Sequence, residues 1–161
     1  MTSWIVTPEA FDSPDARGLR RDYYAEVAGR YWRRPATDEE IDQGLTGDGA
    51  ERLVPPSGGF VVGRHSGEPV ACGGFLVLDQ ERAELTRIYV RPEFRGRGGA
   101  DLLLEKLEGM AHELGLGTMV LNTRLDLIEA RSLYQRHGYV EIPAYCSGPY
   151  MEVWYGKALR S

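Results

Sequence analysis

The chain has 161 residues, 42% hydrophobic and 27% charged, with a net charge of −5 and an isoelectric point near 5.3. That size and mixture suit one globular domain over residues 1–161, and no run approaches the ~18 consecutive apolar residues of a membrane span. The acidic balance argues against a general nucleic-acid binder, which is normally basic, and mildly favours a cationic or amine-bearing ligand.

The first residues lack a basic region followed by an apolar stretch, so no signal peptide is read and a cytoplasmic location is expected. Cys72 and Cys146 lie far apart and have no metal spacing. Both are expected to be free thiols, with Cys72 in the core. No metal site is expected.

Trp4 to Thr7 reads as a first strand. Ser13 or Asp15 can cap a helix through Leu19, Tyr23 and Val27 that ends near Gly29. Thr37-Asp38-Glu39-Glu40 is a capping box opening a short helix that stops between Gly44 and Gly47. Residues 47–59, rich in glycine and proline, read as a loop. Strands 60–64 and 69–78 flank the hairpin turn His65-Ser66-Gly67-Glu68, and a third strand covers 83–90. A helix from Gly98 carries Leu103, Leu107, Met110 and Leu114 at helical spacing and stops at Gly115 and Gly117. Strand 118–123 follows, then a helix over 128–137 closed by Gly138, and strands 139–142 and 151–158. The order βααβββαβαββ points to an α/β fold with a mixed sheet.

The densest chemical signal is Arg95-Gly96-Arg97-Gly98-Gly99-Ala100, between a strand and a helix start. Free N–H groups and the positive dipole end of a helix hold anions, and glycines let backbone come close. Two phosphate recipes fail. No lysine followed by Ser or Thr is present for a P-loop, and counting from Gly96 the sixth position is Asp101, so the dinucleotide fingerprint lacks its third glycine.

Arg95-x-x-Gly98-x-Ala100 fits the Q/R-x-x-G-x-G/A signature of the GNAT superfamily of acyl-CoA-dependent N-acyltransferases. Residues 85–94 resemble that family's fourth strand and entry to the turn. Residues 129–139 resemble its penultimate helix and the strand start behind it. The resemblance spans the chain. It implies a mixed, mostly antiparallel sheet of 6–7 strands with four helices, splayed between the fourth and fifth strands.

The resemblance also implies an acetyl-CoA-dependent N-acetyltransferase. Residues 95–100 would cradle the coenzyme A pyrophosphate, through main-chain groups more than through Arg97. The stretch Ile88, Tyr89 and Val90 would pair with the pantetheine arm as an added strand does. Asn122 would bond either that arm or local backbone. Tyr134 would be the general acid for the leaving thiolate and Glu84 the general base for the amine, while the Val90 N–H would serve the oxyanion.

By residue type alone, Tyr134 fits a core position equally well, and Glu84 a solvated strand edge. The resemblance further implies that Tyr23, Tyr24, Tyr31 and Trp32 border the acceptor pocket with the segment holding Tyr145 and Tyr150, with helix packing as the alternative. Arg33-Arg34 could attract a carboxylate. His65, His112 and His137 are not expected to be catalytic. The expected acceptor is a small-molecule primary amine. Acylation of a protein or peptide amine and non-catalytic acyl-CoA sensing are the alternatives. A nucleic-acid or membrane partner is not expected, and a homodimer is left open.

Overall fold

The computed structural model describes residues 3–159. In chain order the elements are β1 (Trp4–Pro8), α1 (Pro14–Trp32), α2 (Asp38–Leu45), β2 (Gly58–His65), β3 (Glu68–Val77), β4 (Arg82–Val90), α3 (Gly99–Glu113), β5 (Thr118–Thr123), α4 (Ile128–Arg136), β6 (Val140–Glu141) and β7 (Val153–Ala158). This is the expected order. Seven strands form one sheet in the order β1-β2-β3-β4-β5-β7-β6, antiparallel except at β4–β5. Among the described residues no helix is long and apolar enough to cross a membrane.

Local chemistry sets the helix starts. Ser13 accepts a hydrogen bond from the Ala16 N–H at 3.1 Å, and Thr37 and Glu40 form the reciprocal capping box. Helix α1 does not end near Gly29 but continues to Trp32 and stops at Arg33, whose φ is 58°. A glycine costs a helix interior about 1 kcal/mol. That cost is offset here by Arg30, which bonds the Glu129 carboxylate and the Asp126 carbonyl across the fold.

The sheet buries both faces. On one, Val61, Ala71, Phe75, Ala83 and Leu85 pack with Leu103, Leu104, Leu107 and Ala111 of α3 and with Leu133 and Tyr134 of α4. On the other, Phe60, Val62, Cys72, Leu76 and Tyr89 meet Ala16 and Leu19 of α1. Alternate strand residues thus serve alternate cores, as the period of two requires. Leu114 was expected on the core face of α3, but it is 41% exposed because the helix is already unwinding toward Gly115, whose φ is 87°. Strand β6 is shorter than expected and β7 begins later, leaving residues 142–152 as a crossing segment.

The sheet opens at its middle. Strands β4 and β5 pair only at Arg82–Thr118, Ala83–Met119 and Glu84–Val120, yet β4 continues to Val90 and β5 to Thr123. A bulge accompanies the divergence. The β3–β4 register shifts between Cys72 and Gly74, with Arg87 and Ile88 opposite Gly73, and Arg87 has φ 59°. A bulge bends and twists its strand. Gly73 accommodates this one, since a Cβ there would lie 2.7 Å from Ile88 Cδ1 and 3.0 Å from Leu107 Cδ1.

Candidate active site

The divergence leaves main-chain groups without a strand partner. The Arg91 N–H donates to the Val70 carbonyl at 2.8 Å, and Tyr89 faces Cys72 in the same register. Alternation in an antiparallel ladder therefore turns the N–H and C=O of Ile88 and Val90 away from β3, toward the gap. The Val90 carbonyl accepts from Arg95 Nε at 2.8 Å. The gap forms part of a cleft of about 480 Å³, bounded by α1, β4, β5, the start of α3 and α4.

At one end of this cleft lies the glycine turn. Gly96 and Gly98 have φ of 76° and 85°, and α3 starts without a side-chain cap. Its first N–H groups are thus left to a ligand or to water, unlike those of α1 and α2. Gly99 is buried against Trp4, where a Cβ would come within 2.4 Å of the indole ring, and the Trp4 indole N–H donates to the Arg97 carbonyl at 3.0 Å. The rigid indole thereby sets the height of the turn.

Arg95 is held from three sides. It bonds Val90, grips both Glu26 oxygens at 2.6 and 2.8 Å, and lies over the Tyr89 ring. Arg95, Gly96, Gly98, Gly99 and Ala100 line the cleft, as do Ile88, Tyr89 and Val90. Arg97 does not; its guanidinium lies over Phe94.

Tyr134, on α4, lines the same cleft and is 8% exposed. Burial pushes its phenol well above the ordinary value, with Tyr23 nearby adding a smaller effect. Its ring packs edgewise on Tyr139 and obliquely on Tyr155. Glu84 stands where β4 and β5 part. Its Oε2 accepts from the Tyr145 hydroxyl at 2.6 Å and from Asn122 Nδ2 at 3.3 Å. Asn122 thus bonds the Glu84 side chain and also lines the cleft. Burial first, and the bond to Glu84 second, raise the Tyr145 phenol.

The other acceptor-site candidates separate. Tyr24 packs on Gly44 and lines a second, smaller cavity. Tyr31 meets Tyr150 edge-on and lies under the Arg124 guanidinium, and Trp32 lies under Arg34. None of these three lines the main cleft, whereas Tyr23 does. The sequence reading did not pick out Glu26 and Arg30, which tie α1 to the glycine turn and to α4 respectively. Their spacing of one helical turn was the available signal.

Arg124, 4% exposed, pairs with Asp126 and donates to the Val27 carbonyl, fastening the β5–α4 loop to α1. His137 Nε2 sits 2.6 Å from Asp101 Oδ1, and His65 packs between Trp4 and Phe94. Among the described residues no cluster could hold a metal ion. Cys72 is fully buried, which pushes its thiol up to about 12.

This arrangement has counterparts. Residues 17–139 match the family model described as the acetyltransferase (GNAT) family. An acetyltransferase of Azospirillum brasilense, named for IAA, is 32% identical over 102 residues, which is 62% of this chain and 65% of that protein. An uncharacterized N-acetyltransferase of Schizosaccharomyces pombe is 36% identical over 155 residues, 95% of this chain and 90% of that one. The chain spans less than two thirds of the length of the first curated relatives it matches, from 65% down to 16%. Among solved structures, a GNAT family acetyltransferase from Elizabethkingia anophelis with acetyl-CoA bound superposes with a TM-score of 0.66 at 19% identity, covering 98% of this chain and 99% of that one.

Proposed function

The chain belongs to the GNAT acetyltransferase family, and from that premise we propose that it moves an acetyl group from acetyl-CoA directly to the primary amine of a small molecule. One observation carries the reading: a single cleft joins an uncapped helix start, an unpaired β4 edge and a buried tyrosine hydroxyl.

Each part suits a piece of the acyl donor. The N–H groups at the start of α3 and the positive-φ glycines suit a pyrophosphate. The outward N–H and C=O of Ile88 suit an extended, amide-bearing arm laid against β4, which leaves the Val90 N–H for the acyl oxygen. Arg95 shapes this wall, but its charge is already matched by Glu26. When bound, acetyl-CoA supplies the acyl group as a thioester open to attack by an amine.

The chain's residues then manage protons and charge. Glu84, held by Tyr145 and Asn122, takes the proton that the amine must lose as the N–C bond forms. The Val90 N–H donates to the carbonyl oxygen as it gains charge. Tyr134 donates from its hydroxyl to the sulfur as the C–S bond breaks. Its raised pKa keeps the phenol protonated at neutral pH and therefore able to donate. The same desolvated setting strengthens that hydrogen bond and raises the leaving thiol's own affinity for the proton.

The test is a screen of amines, amino acids and polyamines with acetyl-CoA, following free thiol. Amine-dependent thiol release with a matching acetylated product supports the proposal. Tight coenzyme A binding with no release for any amine would refute it.

A further inference from the structure

We propose that the ring of Tyr23 sets the length of acyl chain the protein accepts, restricting its donor to acetyl and other short acyl groups. This rests on the acetyl-transfer reading above and names the side chain behind the choice of donor.

Tyr23 stands between two spaces. It lines the main cleft and also a second cavity of about 290 Å³ between α1, α2 and the β3–β4 edge. Thr86 and Arg87 of β4 are the other residues common to both, so these three make the partition. Arg87 is fixed in it, donating to the Asp48 carbonyl at 2.7 Å and to Thr86 Oγ1 at 3.3 Å. Tyr23 is the part that α1 contributes. Its ring meets Tyr89 edge-on, with centroids 6.4 Å apart, and packs on the core that holds Leu19, Cys72 and Leu76.

The same ring borders the place of reaction. Tyr134 belongs to the core on the α3 face of the sheet and Tyr23 to the α1 face, yet both line the main cleft and Tyr23 lies near enough to affect the Tyr134 phenol. The gap where β4 and β5 part therefore lies between them. A thioester carbon holds its oxygen, its sulfur and its acyl chain in one plane. With the oxygen at the Val90 N–H and the sulfur at Tyr134, the chain is left facing α1, where Tyr23 closes the way.

An aromatic ring is rigid and cannot shorten to admit a longer chain. The room beyond it is reached only past Tyr23. Leu45, Leu76 and Tyr24 wall that room, its Arg87 and Asp48 pair with each other, and its Arg20 donates to the Phe11 carbonyl. Removing the ring would thus open a space whose charges are already engaged.

The experiment titrates the protein calorimetrically with free coenzyme A and with acetyl-, propionyl-, butyryl- and hexanoyl-CoA. Thiol release from each thioester is followed in parallel with the amines of the screen. The wild type should bind hexanoyl-CoA about tenfold or more weakly than acetyl-CoA, because one methylene too many in a closed pocket already costs about that much. Tyr23→Ala should tighten hexanoyl-CoA about tenfold or more, since each methylene newly buried is worth about fourfold, and should leave free coenzyme A affinity unchanged. Tyr23→Phe keeps the ring and should keep the wild-type order of affinities. Tyr23→Leu stands as the test if Tyr23→Ala melts early, and should admit butyryl-CoA.

A binding preference for acetyl-CoA that Tyr23→Ala or Tyr23→Leu lifts upholds the limit. If no amine then releases thiol, acetyl transfer alone is refuted. Equal thiol release from acetyl- and hexanoyl-CoA in the wild type upholds transfer and overturns the limit. A wild-type order of affinities in folded Tyr23→Ala or Tyr23→Leu protein, or its loss in Tyr23→Phe, overturns the limit as well.

Discussion

Gly99→Ala is the sharpest probe of the glycine turn. A Cβ at this position would lie 2.4, 2.5 and 2.8 Å from three atoms of the Trp4 ring. Ordinary contact begins near 3.4 Å, so ring or turn must yield by about 1 Å. Trp4 is 5% exposed and its indole N–H is bonded to Arg97, so it has little room to retreat. Overpacking of this kind costs about 1–3 kcal/mol, against up to about 1 kcal/mol gained from replacing a helical glycine, for a net loss near 1–2 kcal/mol. In a domain of this size that lowers Tm by roughly 3–6 °C.

A turn displaced by 1 Å also takes the N–H groups of residues 98–100 off a bound pyrophosphate. Coenzyme A affinity should then fall about 10- to 100-fold. Gly109→Ala is the control: it lies in the same helix with nothing within 4 Å of its Cβ position. It should stabilise the protein slightly and leave affinity alone. Thermal melts and calorimetric titration with coenzyme A decide the matter. A Gly99→Ala protein that melts and binds like Gly109→Ala would refute the reasoning.

Three further outcomes follow from the geometry. Tyr145→Phe removes the 2.6 Å donor to Glu84 and should cost about 1–2 kcal/mol in urea unfolding and roughly tenfold in kcat/KM, with coenzyme A affinity unchanged; wild-type kinetics would remove Tyr145 as a positioning residue. Asp101 is held below its usual pKa chiefly by His137, so its contribution is complete above the unfolded value near ~3.9 and is lost as pH falls through the lower, folded value. With its side chain 38% exposed, Asp101→Asn should cost about 0.5–1 kcal/mol at pH 6 and less at pH 3, and equal losses at both would contradict this. Cys72 is fully buried with its thiol pushed up to about 12, so an aromatic disulfide reagent at pH 8 should titrate Cys146 alone in the native protein and both cysteines in urea.

Features written in neighbouring residues were legible in the sequence. The capping box at Thr37, the hairpin at 65–68 and the Gly138 stop rest on contacts within a few positions, and the glycine turn, though braced by Trp4, is written in consecutive residues; the structure has each. Features made by the sheet were not. Residues 83–90 read as one uninterrupted strand, because the bulge arises only when Gly73 meets Ile88 across β3–β4.

The same holds within the cleft. Tyr145 and Glu84 are 61 positions apart, and Arg30 and Glu129 are 99 apart. Nothing in either segment names the other. Arg20 and Arg21 are neighbours in sequence, yet Arg21 pairs with Asp38 and Asp42 while Arg20 donates to the Phe11 carbonyl. Leu114 failed by a single residue, since helical spacing is silent on where a helix unwinds.

The most direct measurement compares Tyr134→Phe with the wild type in acetyl-CoA-dependent thiol release, using whichever amine the screen identifies. The phenyl ring keeps the packing on Tyr139 and Tyr155 and loses the hydroxyl. If that hydroxyl serves the leaving sulfur, kcat falls about 100-fold or more while coenzyme A binds as before. Undiminished kcat in a folded Tyr134→Phe protein would contradict the proposed chemistry at its centre.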